Sequence, residues 1–159
     1  MTYLQTINRL LIHKWLVAYY ARRHFPWRIS RFDALIIFLC HDSDKFLHLP
    51  SVRYRFETGD ETEFSHWHTL TQKHHWRHWN WLNIMPNRYI CEMIADWFSA
   101  SQLETGNAWD ALDFAEKEIE TMRKRRTASK TVENVEWYIS HLKKLIDLAK
   151  WSVEQTKEK

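Results

Sequence analysis

Glycine and proline are scarce in this chain. Only Gly59, Gly106, Pro26, Pro50 and Pro86 occur in 159 residues. So few breakers leave little room for tight turns, and they point to long helices in an all-α fold. Cysteine is almost as rare. Cys40 and Cys91 each sit in apolar surroundings. They make no disulfide framework and read as small buried residues of a reducing compartment. No apolar run approaches the length of a membrane span. The start, "MTYLQTINRLLIHKWLVAYYARR", lacks the basic front and small-residue cleavage site of a secretory signal. A cytoplasmic protein is expected. No linker composition and no internal period divides the chain, so one compact domain over residues 1–159 is expected. A net charge of +3 is too small to argue for nucleic acid.

What the chain has in excess is imidazole and indole, with ten His and ten Trp. Seven of the histidines, at 41, 48, 66, 68, 74, 75 and 78, fall in its second quarter. The tryptophans read mainly as core.

Hydrophobic periodicity and breakers predict about six helices. The first covers about 3–23, with Leu4, Ile7, Leu10, Leu11, Trp15, Ala18 and Tyr19 as its stripe. Ser30 caps a second, running to about Lys45 and brought into the core by Phe32, Leu35, Ile36 and Leu39. "FLHLPSVRYRFETGD" reads as a loop. Asp60 or Thr62 opens a third helical region to about Trp81. A fourth begins near Pro86 and ends near Gln102. A fifth covers about 108–126, acidic at its start and closing on "RKRR", which reads as a solvated helix end. Thr131 caps the last, through about Val153, with "EQTKEK" frayed beyond it.

Three polar clusters stand out against these helices. The first is His41-Asp42, with Lys45 one turn on. The second is "HTLTQKHHWRHW". Here His68 and His75 share a helical face, whereas His74 points elsewhere unless the helix breaks near Gln72. The third is "ICEMIADW", in which Glu92 and Asp96 stack one turn apart on a helix that is apolar on most sides. His13 adds an imidazole in the first helix. Neutral imidazoles and carboxylates bind borderline divalent cations, and many histidines with few cysteines favour an open catalytic site over a closed structural one. Two adjacent ions can clamp a phosphoryl group, and a nearby lysine can hold a phosphate oxygen.

The order His13, His41-Asp42-x-x-Lys45, His68, His74-His75, Asp96 resembles the HD-domain metal-dependent phosphohydrolase superfamily, which is all-helical. Over about residues 10–105, "HDSDKF", "HTLTQKHHWRHW" and "MPNRYICEMIADWFSAS" are also similar to a family of uncharacterised phage and bacterial proteins. Asp44 stands where that family often has Ser. The short interval from His68 to His74, and "HHWRHW" in place of a Gly-Tyr-Pro, argue against cyclic dinucleotides.

The resemblance implies hydrolysis of a nucleotide or related phosphoester, with one or two divalent ions of Mn, Fe, Co, Ni or Zn. His13, His41, Asp42 and Asp96 would hold the main ion. His68 with His74 or His75 would hold a second ion or contact phosphate. Lys45 would stabilise developing charge. Glu92 would orient a ligand or act as general base, and Trp76, Trp79, Trp81 or His78 would contact substrate. A non-catalytic binding or inhibitory protein of the same fold, and a di-iron oxygenase, are the alternatives. No membrane partner is expected and nucleic acid is disfavoured.

Overall fold

The computed structural model describes residues 1–79, 83–125 and 127–157. Within them are seven α-helices and no strand: α1 (Tyr3–His24), α2 (Arg31–Cys40), α3 (Leu49–Thr58), α4 (Glu63–Thr71), α5 (Asn87–Thr105), α6 (Ala111–Lys124) and α7 (Ser129–Lys157). Short 3-10 turns cover Ser43–Phe46, Trp76–His78 and Ala108–Asp110. The all-α expectation holds. No described helix is long and apolar enough to cross a membrane.

The ends of the helices follow local chemistry. Thr2 and Gln5 form a reciprocal capping box on α1, and Ser30 and Asp33 form another on α2. α2 stops at Cys40 instead of reaching Lys45, because Asp42 takes a left-handed conformation (φ 54°) and turns the chain. The stretch expected to be a loop around Pro50 is instead α3. Pro50 lies in its first turn, where the missing N–H has no helical partner to lose, so it starts this helix rather than breaking it. The third helical region is shorter than expected, ending at Thr71 with Gln72 extended. Its predicted end near Trp81 lies outside the described residues. Thr131 does not cap α7, which begins at Ser129. Thr131 is buried, and its hydroxyl accepts the Met85 N–H at 2.9 Å. The backbone of α7 stays helical to Lys157, past the point where fraying was expected.

α5 is the central helix. It packs against α1, α6, α7 and the Ala108–Asp110 turn, and every residue from Ile90 to Ser99 except Asp96 is buried. Phe25, Ile37, Met93, Phe98, Met122 and Tyr138 are among the side chains that close the core around it.

Three expectations about burial hold only in part. Of the expected α1 stripe Leu10 and Ala18 are buried, beside Thr6, His13, Val17 and Ala21, whereas Leu4, Leu11, Trp15 and Tyr19 look outward. In α2 only Ile37 is buried, while Phe32, Leu35, Leu39 and Cys40 are exposed. Of the tryptophans, Trp76 and Trp97 are core, whereas Trp15, Trp27, Trp67, Trp109 and Trp137 are exposed. Apolar periodicity marks an apolar face without saying which of two faces meets the core. In α6 the inward residue is Ala115, not Phe114. Arg123 pairs with Glu136 and Lys124 with Glu120, so these two residues of the basic run form a solvated helix end. Arg126 lies outside the described residues.

Candidate metal centre

Four segments converge on one buried spot. α1 supplies His13, and the turn after α2 supplies His41, Asp42, Asp44 and Lys45. The end of α4 and the irregular stretch after it supply His68, His74 and His75. α5 supplies Glu92, Asp96 and Ser99. The turn at 41–46 is held from outside by Lys14, whose ammonium donates to Leu39 O at 3.0 Å and Ser43 Oγ at 2.8 Å. That places a cation at the C-terminal end of α2, where the helix dipole favours it. Asp42 is the single non-glycine residue with positive φ among the described residues. This conformation costs an ordinary L-residue about 1–2 kcal/mol and is tolerated best by Asn and Asp. It points a carboxylate that is 1 % exposed into the cluster.

The two oxygens of Asp42 face two different groups. Oδ2 lies 3.4 Å from Nε2 of both His13 and His41. Asp96 Oδ1 completes that group, 3.0 Å from His13 Nε2 and 3.5 Å from His41 Nε2. Oδ1 of Asp42 lies 3.0 Å from His68 Nε2 and 3.3 Å from His74 Nε2, with His75 alongside. Each group of four offers donor atoms that all lie within 4.8 Å of one another. Donors about 2.1 Å from a tetrahedral ion stand roughly 3.4 Å apart, and these spacings match that value.

Unsatisfied atoms mark the second group. Asp42 Oδ1, His68 Nε2, His74 Nε2 and His75 Nε2 are all buried without a hydrogen-bond partner. Leaving four such atoms unpaired would be costly, and a cation coordinated between them removes the deficit.

The other nitrogens are already engaged. His41 Nδ1 donates to Glu92 Oε1 at 3.1 Å, and His68 Nδ1 donates to Asp44 Oδ2 at 2.8 Å. Gln72 also donates to that Asp44 oxygen, at 3.1 Å. His13 Nδ1 donates to Ser99 Oγ at 2.8 Å, while the Ser99 hydroxyl donates to His13 O at 3.2 Å. This network assigns Nδ1–H to all three rings, so that in the neutral form each would turn its Nε2 lone pair to the centre. Glu92 also approaches His74 Nδ1 at 3.7 Å, and with His41 and His74 it forms a third group of donors. Its hydrogen bond to His41 makes it a positioning residue.

The electrostatics suit a cation. Burial would raise the pKa of Asp42, yet His41 and Lys45 hold it well below the usual carboxylate range. Asp96 is held low against burial in the same way, by His13 and His41. Burial opposes charge on His41, but Asp42, Asp96 and Glu92 together raise its pKa to about 10, so a cation would bind there by displacing the His41 proton; Asp42 and Asp44 raise His68 against burial in the same way. His74 and His75 go the other way, pushed down by burial and by neighbouring imidazoles, so they stand neutral with free lone pairs.

The centre opens into two chambers. One, of about 460 Å³, has Arg9, Lys45, Arg55, Phe56 and Phe64 in its walls. The other, of about 730 Å³, has Trp76, Arg77, Phe114 and Lys117. His75 and Asp96 line both.

All seven expected ligands, His13, His41, Asp42, His68, His74, His75 and Asp96, meet here. The α4 break at Gln72 is what turns His74 inward. Lys45 pairs with Asp42. Trp76 reaches the larger chamber, its indole N–H held by Glu118 at 2.7 Å. His78 lines neither chamber, and its Nδ1 engages Leu70 O at 3.0 Å. Trp79 donates to Lys73 O, and Trp81 lies outside the described residues. Sequence reasoning missed the orienting roles of Ser99, Asp44 and Gln72. Ser99 was findable, because it lies three residues after Asp96 and seven after Glu92 on the same helical face.

Fold and site together define an all-helical protein with a buried histidine–carboxylate centre able to hold a metal ion. The chain belongs to the family of unknown function DUF5662, whose profile matches residues 2–158. Neither a curated protein nor a solved structure matches it.

Proposed function

We propose that the protein is a metal-dependent phosphohydrolase acting on a nucleotide or related phosphoester. The observation that carries this reading is the position of Asp42, whose two carboxylate oxygens serve two adjacent four-residue donor groups. A pair of cations bound there would neutralise phosphoryl oxygens and lower the pKa of water toward neutrality. The chain's own groups suit that chemistry. Lys45, Arg9 and Arg55 give the smaller chamber three cationic side chains for phosphate oxygens. Phe56 and Phe64 give it aromatic walls for the rest of the substrate, and the Arg9 guanidinium lies 4.5 Å from the Phe56 ring centre. Glu92 and Ser99 keep His41 and His13 in place, and the buried floor excludes bulk water. The resemblance to HD-domain phosphohydrolases points the same way.

The test is elemental analysis followed by a phosphatase screen of the metal-loaded protein over nucleoside mono-, di- and triphosphates, with Asp42→Ala alongside. We expect bound transition metal and turnover in the native protein, with both lost in the variant. Equal turnover in the two proteins would remove the site assignment, and an inactive metal-loaded native protein would remove the reaction. The histidine-rich donor set with a shared carboxylate also suits a pair of irons and oxidative chemistry. Iron content and visible absorbance after anaerobic purification separate that reading from hydrolysis.

A further inference from the structure

α2 is apolar around most of its circumference, yet only one of its ten residues is buried. Such a helix normally sits inside a protein. Its outer side presents Phe32 (70 % exposed), Leu35 (51 %) and Leu39 (55 %). Beside it, the outer side of α1 presents Leu4 (68 %), Leu11, Trp15 (56 %) and Tyr19. The two helices pack together, and the Lys14–Leu39 hydrogen bond fixes the end of α2 near the middle of α1. These residues therefore form one surface. Between the helices lies a cleft of about 330 Å³, walled by Trp15, Ala18, Tyr19, Ala34 and Phe38, with Arg22 and Arg23 at its end.

From the fractions exposed, this surface presents on the order of 800 Å² of apolar side chain, against about 300–600 Å² for the largest patch on a typical monomer. It equals the share that each partner contributes to a standard interface, about 800 Å². Its charge is confined to one end, where Arg22 and Arg23 enter the cleft and Arg23 lies over the Tyr19 ring. Asp33 is turned aside to Ser30 and Arg88. The rim cations Arg22, Arg23 and Arg31 gather at the end where α1 finishes and α2 begins.

We propose that this face pairs with the same face of a second copy of the chain, giving a twofold dimer. A twofold axis through the middle of the patch covers both copies completely. It also sets the two basic ends at opposite extremes, so they do not repel. The cleft between Trp15 and Phe38 receives an apolar side chain from the partner copy, and Trp15, stacked on Tyr19 with ring centres 5.4 Å apart, forms its aromatic wall. α1 carries His13 on its opposite side, and α2 leads directly into His41 and Asp42. Pairing therefore braces both helices behind the metal centre.

Sedimentation equilibrium of the full chain tests this. At about 100 µM, well above the dissociation constant expected of an interface of this size, the mass should be about twice 19.5 kDa. Phe32→Asp with Leu35→Glu should weaken association at least about a hundredfold, with far-ultraviolet circular dichroism unchanged. Leu145→Glu, on the exposed side of α7, should leave the dimer intact. A native chain that is monomeric at that concentration, including one that instead co-sediments with anionic vesicles, overturns the proposal. So does a dimer that survives the α2 substitutions or is broken by Leu145→Glu. Should the α2 variant lose its helicity, Trp15→Lys on α1 reads the same face.

Discussion

Replacing Ser99 with alanine removes one oxygen from a fully buried site and exposes the logic of the centre. That oxygen accepts the His13 Nδ1–H at 2.8 Å and donates to His13 O at 3.2 Å. In Ser99→Ala the ring loses the partner that fixes its tautomer, and its Nε2 no longer has to face Asp96 and Asp42. Two effects follow, and they are separable. Leaving a buried N–H without an acceptor costs about 1–3 kcal/mol, a drop in melting temperature of roughly 3–10 °C for a chain of this length. Loss of an orienting partner behind a histidine ligand weakens metal binding about 10–100-fold. The first is read from thermal melts of the metal-free protein, and the second from calorimetric titration with Zn or Mn. A variant that melts lower but binds metal within about twofold of native would refute the orienting role. It would reduce the Ser99 hydrogen bond to a tie between α1 and α5.

Asp44→Ala should weaken binding by a similar factor, but only at the His68–His74–His75 side, because Asp44 holds His68 alone among the ligands. The stoichiometry of a metal titration reads this, and loss of all binding would contradict it. His24→Phe addresses a different place. His24 is stacked on Tyr20 and packed against Phe98 and Trp109, and burial, with Arg23 nearby, lowers its pKa to about 4. Its neutral form is therefore the folded form. The associated stability is complete above about pH 6.5, the value in the unfolded chain, and is lost as pH falls toward 4. The total is about 3 kcal/mol. His24→Phe should keep the packing and lose this share of the acid sensitivity, measured as urea midpoints at pH 7 and pH 4.5; an unchanged pH slope would refute the assignment. Gly106→Ala should destabilise by about 1 kcal/mol. Its φ of 79° is hard for a residue with a Cβ, although nothing lies within 4 Å of where that Cβ would be. Chemical denaturation measures it, and a neutral result would contradict the strain.

The fold class was legible because glycine and proline are so rare, and the candidate ligands because the clustered His and Asp residues follow the order of the superfamily they resemble. What the sequence hid was direction. Leu4, Leu11 and Trp15 follow the same period as Leu10, Val17 and Ala21, and only packing against α5 decides which set is inside. Pro50 reads alike as breaker and as starter, so α3 was missed. Asp44 could not be ranked above other polar residues until His68 had a position, whereas Ser99 shares a helical face with Glu92 and Asp96. The break at Gln72 was visible only as a condition for bringing in His74, and the structure meets it.

The ligands divide by the stiffness of what carries them. His13 and Asp96 ride on long helices that pack against each other across the core. His41 and Asp42 sit on the turn after α2, and His74 and His75 on the stretch after α4. Their backbones carry mostly the short hydrogen bonds of turns, such as Lys45 N–H to Asp42 O and His75 N–H to Gln72 O, in place of a helical ladder. Amide hydrogen exchange should therefore be slow along α5 with or without metal, and should slow at 41–46 and 72–78 only when metal is added. A bound ion would act as a mechanical fastener between the rigid half of the molecule and the pliable half.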